Sequence, residues 1–161
     1  MLITNVTKKD VAALTKIYNY YILETCVTME EKPLTVREFY KRVKSISKNY
    51  PYFVAKEKGK ILGYAYLNVF NERSAYKNTA DLTVYLDKSE TGRGVGGALY
   101  TAIERAAKEK GIKHVVSLIT GNNSRSVAFH KAMGFEECGT LNGVADKFGL
   151  NLGVVFMIKE I

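Results

Sequence analysis

The stretch from Val84 to Ile103 limits what this chain can fold into more than any other. Val84, Tyr85 and Leu86 are β-branched, aromatic and aliphatic, the composition of a strand. A polar connection from Asp87 to Thr91 leads to Gly92, Gly94, Gly96 and Gly97, while apolar residues at Val95, Leu99, Ala102, Ile103 and Ala106 recur at helical spacing. Strand, glycine turn and helix in that order put the free N–H groups of a new helix beside a backbone that a ligand can approach closely, which is the arrangement of an anion site. The same glycines also fit a tight turn that serves only packing.

Two familiar phosphate loops fit the string poorly. Gly92, Gly94 and Gly97 satisfy G-x-G-x-x-G, but a dinucleotide fold wants an acid at the end of the next strand, and Val115–Ile119 runs instead into Thr120 and Gly121. The connection from Leu86 to Gly92 is also long for that turn. No G-x-x-x-x-G-K-[S/T] string is present, which argues against a nucleoside-triphosphate loop.

The remaining segments predict a mixed α/β chain. An opening strand, Leu2–Asn5, precedes a helix that Thr7 and Asp10 cap and whose inner side is Val11, Leu14, Ile17, Tyr18 and Tyr21. A loop over residues 24–34 leads to a second capping box at Thr35 and Glu38, ahead of Phe39, Val43 and Ile46. Strands at 52–56, 61–67 and 80–86 read as an antiparallel meander, and strand 80–86, helix 95–110 and strand 115–119 as a crossover with a parallel pair. Asn123 or Ser124 caps a last helix with Val127, Ala128 and Met133 inward. Two strands, roughly 135–140 and 153–159, flank an expected loop over Leu141 to Leu150.

With 161 residues the expectation is one domain with one substantial core. No apolar run is long enough to span a bilayer and the start, Met1 to Asn5, has no signal core, so the expected compartment is the cytoplasm. Cys26 and Cys138 stand far apart without a histidine cluster, which predicts reduced thiols and no metal site. The formal charge of +8 suits an anionic ligand and equally a soluble surface. Because Lys and Arg are scattered and no nucleic-acid-binding signature accompanies them, nucleic acid is not the expected partner.

In their order, several strings resemble the GNAT N-acetyltransferase superfamily, and within it the phosphinothricin-acetyltransferase-like branch. They are Ile17–Asn19, Thr28–Glu30, Pro51–Ala55, Phe70–Tyr76, Thr83–Leu86, Gly92–Gly96, Asn123–Phe135 and Lys147–Gly149, and together they cover nearly the whole chain. The resemblance implies a GNAT fold, a central mixed and mostly antiparallel sheet flanked by helices, using acetyl-CoA as acyl donor. It implies coenzyme contacts at Val84, Tyr85 and Leu86, at Gly92, Arg93, Gly94, Val95, Gly96 and Gly97, and at Asn123. The coenzyme motif Q/R-x-x-G-x-G/A falls on Thr91 to Gly96, with Thr91 departing at the first position.

Amide formation needs a neutral amine and a group to take its proton. Asp81 matches the strand glutamate implicated as base in the branch and is one methylene shorter, so the proton passes to it directly or through water. His130 matches a position near the coenzyme sulfur, as general acid or as a coenzyme contact. For the acceptor, the resemblance implies Arg73 as a clamp for a carboxylate and Tyr76 as a wall, with Tyr18, Asn19, Thr28, Glu30 and Lys147 around the pocket. The tail departs from the branch at Asn151 and Gly153, which loosens the link to phosphinothricin itself. The expected reaction is acetylation of a primary amine on a small amino-acid-like molecule, by a homodimer. A polyamine or protein amine, or an acyl-CoA-binding module without turnover, are the other readings.

Overall fold

The computed structural model describes residues 1–161. A short strand β1 (Leu2–Asn5) leads through a 3₁₀ turn at Lys8–Asp10 into α1 (Val11–Glu24), and α2 (Val36–Ser47) follows. Asp10 fixes this entry. Its carboxylate accepts from the Thr7 N–H at 2.8 Å and pairs with Lys56 at 2.7 Å, tying the helix start to the neighbouring strand. Thr35 and Glu38 form the expected capping box on α2, with Thr35 N–H donating to Glu38 at 2.7 Å and Glu38 N–H donating to the Thr35 hydroxyl at 3.2 Å.

The strands β2 (Tyr52–Glu57), β3 (Lys60–Val69) and β4 (Thr79–Leu86) form the meander; α3 (Val95–Glu109) crosses to β5 (His114–Thr120); α4 (Ser124–Ala132), β6 (Glu136–Lys147) and β7 (Leu150–Glu160) complete the chain. Sheet order is β1-β2-β3-β4-β5-β7-β6, and every neighbouring pair is antiparallel except β4 with β5. The mixed, mostly antiparallel sheet with helices on both faces is the architecture the sequence predicts.

Each face has its own core. Leu99, Ile103 and Ala107 of α3 pack, fully buried, against Ala65, Leu67, Ala80 and Val115 of the sheet. On the other face Val11, Leu14, Ile17 and Ile22 of α1, with Phe39 and Val43 of α2, cover Tyr52, Val54 and Tyr64. Full burial of a side chain such as Leu99 stabilises by about 1.5–3 kcal/mol.

Two expectations need correction. The loop predicted over Leu141 to Leu150 is strand: β6 runs to Lys147, β7 begins at Leu150, and only Phe148 and Gly149, both at positive φ, make the turn. The pairing shifts register between Leu141 and Ala145, and almost all of β6 is exposed, so no apolar alternation marks it as strand. On α4, Ala128 is exposed rather than inward, and His130 is the buried residue.

Candidate active site

The parallel pair is short. β4 and β5 are in register only at Thr79 with His114, Ala80 with Val115, and Asp81 with Val116. Beyond Asp81 the two strands part, β4 continuing to Leu86 beside β3 alone and β5 to Thr120 beside β7 alone. A sheet that splits this way leaves backbone groups of β4 without a strand partner on one side.

A cavity of about 610 Å³ lies in the mouth of the split. Val84, Tyr85 and Leu86 form one wall, Gly92, Gly94, Val95, Gly96 and Gly97 at the start of α3 a second, and Asn123, which caps α4, with Ser126, Phe129 and His130 of α4 a third. Gly94, at φ +78°, is the residue before α3, and the first backbone bond of the helix runs from Ala98 N–H to its carbonyl. The N–H groups of Val95, Gly96 and Gly97 precede that bond. Gly96 lets α4 close on α3, since a Cβ there would stand 3.1 Å from the Phe129 ring. The Arg93 side chain does not line the cavity; it pairs with Glu90 and, at 3.2 Å, with Glu57.

The other face of the sheet carries the acid. Alternation along β4 turns Val84 and Leu86 toward α3, and Asp81, Thr83 and Tyr85 toward α1 and α2. Asp81 Oδ1 is buried and makes no hydrogen bond. Burial pushes the Asp81 carboxyl up to about 6, against a smaller downward pull from the Leu82 backbone amide. Tyrosines pave this face: Tyr52 stacks on Tyr66 with ring centroids 4.7 Å apart, and Tyr18 meets Tyr85 edge-on at 5.1 Å.

Four of the expected acceptor residues form one bonded group here. The Tyr18 hydroxyl lies 3.0 Å from Thr28 Oγ1 and donates to Glu30 at 3.0 Å; Glu30 also pairs with Arg42. Burial raises the Tyr18 phenol to about 12, which keeps it a donor. Lys147, buried at the end of β6, donates to the Thr28 carbonyl at 2.8 Å, and burial lowers its pKa. Asn19 is turned elsewhere, its amide bonded at both ends to the Leu34 backbone at 2.8 and 2.9 Å. Arg73 and Tyr76 lie on the exposed connection between β3 and β4, where Tyr76 packs on Phe70 at 5.7 Å and the Arg73 guanidinium has no protein partner.

His130 closes the cavity beneath Phe129 and Phe135. Its Nδ1 donates to the Ser126 carbonyl at 2.8 Å, an acceptor that fixes the tautomer, and Nε2 makes no protein hydrogen bond. Burial lowers its pKa, so the ring is neutral near pH 7.

A family model described as Acetyltransferase (GNAT) domain matches residues 3–152. The chain belongs to the GNAT acetyltransferase family. A phosphinothricin N-acetyltransferase of Streptomyces viridochromogenes is 34% identical over 143 residues, covering 89% of this chain and 78% of the relative. Among solved structures, a GNAT phosphinothricin acetyltransferase from Sinorhizobium meliloti in complex with AcCoA superposes with a TM-score of 0.96 at 31% identity, over 99% of this chain and 88% of that one. A ribosomal-protein-alanine N-acetyltransferase from Brucella melitensis matches all of both chains with a TM-score of 0.96 at 30% identity. The GNAT chain is accordingly an acetyl-CoA-dependent N-acetyltransferase.

The lining of this GNAT cavity suits a phosphate-bearing donor such as acetyl-CoA. No acidic side chain lines it, two helix N-termini open onto it, and the space beside Gly92 and Gly94 is clear of other atoms, so phosphate oxygens can reach backbone N–H groups. The open edge of β4 offers hydrogen bonds to the amides of a pantetheine arm. Sequence reasoning missed Tyr21, which lines the GNAT cavity and donates to the Leu86 carbonyl at 2.8 Å, closing the end of the strand. Its helical spacing marked it only as a core residue. Arg125 also lines the cavity, and no motif position distinguishes it in the sequence.

Proposed function

We propose that this enzyme acetylates the primary amine of a small amino-acid-like molecule by direct attack within a ternary complex. The observation that carries the reading is the parting of β4 and β5 at Asp81, with a half-buried carboxylate whose Oδ1 makes no hydrogen bond on one face and the donor cavity on the other. Two substrates entering from opposite faces meet at the split, which is the arrangement direct transfer requires.

Acetyl-CoA, when bound, supplies the electrophilic thioester carbon. Asp81, directly or through one water, takes a proton from the acceptor ammonium so that the nitrogen lone pair is free; the N–C bond forms, the C–S bond breaks, the second proton shed by the nitrogen passes to the departing thiolate, and Asp81 returns its own to solvent. Backbone groups of Val84, Tyr85 and Leu86 orient the pantetheine arm, the N–H groups from Gly92 to Gly97 hold the diphosphate, and Asn123 contacts the arm from α4. His130 presents an unprotonated Nε2 to the cavity, a hydrogen-bond acceptor for the thiol once it has collected its proton. Tyr18, Thr28 and Glu30, braced by Lys147, shape the acceptor pocket. Arg73 pairs with the acceptor carboxylate, and Tyr76 forms a side of the pocket. The names of the Streptomyces and Sinorhizobium relatives support an amino-acid-like acceptor. The Brucella relative keeps a protein amine as the second reading. A homodimer in the cytoplasm belongs to the same proposal, carried by the family resemblance.

The test is release of free CoA from acetyl-CoA by the purified protein, across amino acids, their phosphinic and sulfone analogues, polyamines and short peptides. One strong response among the amino-acid-like acceptors is expected; response to peptides alone overturns the substrate assignment. With that acceptor, Arg73→Ala should lower kcat/KM by the equivalent of about 1.5–3 kcal/mol and spare the carboxyl-free analogue. An equal loss for both removes the clamp.

A further inference from the structure

The donor carries more negative charge than the glycine loop is built to meet. Backbone N–H groups at the start of α3 suit the diphosphate, but the 3′-phosphate on the ribose of CoA is a separate, doubly charged group. Arg93 is the cation nearest the glycines in sequence, and Glu57 and Glu90 hold its guanidinium. Lys60 is paired with Glu90 at 2.8 Å, and Lys88 lies over the Tyr20 ring at 4.8 Å. The basic groups around the loop already have partners.

Arg125 does not. It is exposed, it makes no hydrogen bond or ion pair with the protein, and it lines the donor cavity. His130 being neutral, Arg125 is the one fixed positive charge in a wall that contains no carboxylate. Its position is also the wrong one for helix stability. Arg125 is in the first turn of α4, where the partial positive charge of the helix end disfavours a cation, and no acidic residue of that turn offsets it. An anionic ligand at this end would satisfy both the arginine and the helix.

From this, and resting on the acetyl-CoA reading above, we infer that Arg125 pairs with the ribose 3′-phosphate of the coenzyme and is the residue by which the enzyme distinguishes CoA from its 3′-dephospho form. The guanidinium presents two parallel N–H donors to phosphate oxygens, a geometry lysine cannot reproduce. The diphosphate remains with the glycine loop.

Calorimetric titration with CoA and with 3′-dephospho-CoA, without any acceptor, tests this. Wild type should bind CoA roughly 10- to 100-fold more tightly than 3′-dephospho-CoA, the range of one charge-assisted bond. Arg125→Ala should lose that preference by weakening CoA alone, and Arg125→Lys should recover only part of it. Without ligand, Arg125→Ala should melt at the wild-type temperature or slightly above, because the residue is exposed and opposes the helix end. Equal weakening of both ligands, or unchanged affinity for CoA, overturns the assignment while leaving the donor site intact. Failure of wild type to bind either ligand overturns the donor site as well.

Discussion

As the proposed base, Asp81 carries opposed consequences for stability and turnover. Its carboxyl is raised to about 6 by burial, so the folded protein holds the proton at pH values where the unfolded chain, near the ordinary 3.8, has released it. The stability this group contributes is fully present below roughly pH 4 and is lost as pH rises through about 6. Asp81→Asn removes the buried charge, and at pH 8 it should be more stable than wild type by on the order of 2 kcal/mol, with the gain vanishing toward pH 4. Denaturant unfolding at the two pH values checks this, and a mutant less stable at pH 8 would contradict it. The same substitution should lower turnover by roughly 10²–10⁴-fold, the scale of a positioned base. Raising the pH should recover part of that, since more of the acceptor amine is then neutral. Near-wild-type turnover across the pH range would remove Asp81 as base and leave the proton to water held by backbone groups or Glu30.

At the scale of elements, the glycine loop and α3 wall the cavity proposed for the donor, and Gly94 is the position at which conformation and charge separate most clearly. Its φ of +78° is one that Asn and Asp adopt more readily than other side chains, and no atom stands within 4 Å of a Cβ placed there. Gly94→Asn should therefore keep the fold and much of the affinity for acetyl-CoA, whereas Gly94→Asp should lose affinity through charge against the diphosphate. Calorimetry on both folded variants decides this; equal affinities for Asn and Asp would take this loop out of the phosphate site. The strand, glycine and helix pattern of this element was legible in the sequence because each part has a local signature. The β6–β7 arm was not. Exposed on both sides at Leu141, Val144 and Leu150, it is specified by pairing across the hairpin rather than by an inward face, and its bulge interrupts whatever alternation remains.

Across the whole molecule, what the sequence concealed are contacts between distant segments. Periodicity identified the buried side of α1, but it could not reveal that Tyr21 reaches the carbonyl of Leu86, or that Lys147 is buried against Thr28, 119 positions away. Glu57, one of the two glutamates that occupy Arg93, was equally hidden, since it lies on β2, 36 positions away. Order of elements, caps and the crossover were legible; the partners of individual charges were not.

The central claim is that donor and acceptor are held together at the split between β4 and β5 and react without an acyl-enzyme. Initial rates of CoA release, with acetyl-CoA and the responding amino-acid acceptor varied against each other, test it most directly. Intersecting double-reciprocal lines are predicted, with an intact protein mass unchanged after incubation with acetyl-CoA alone. Parallel lines together with a mass gain of one acetyl group would contradict it.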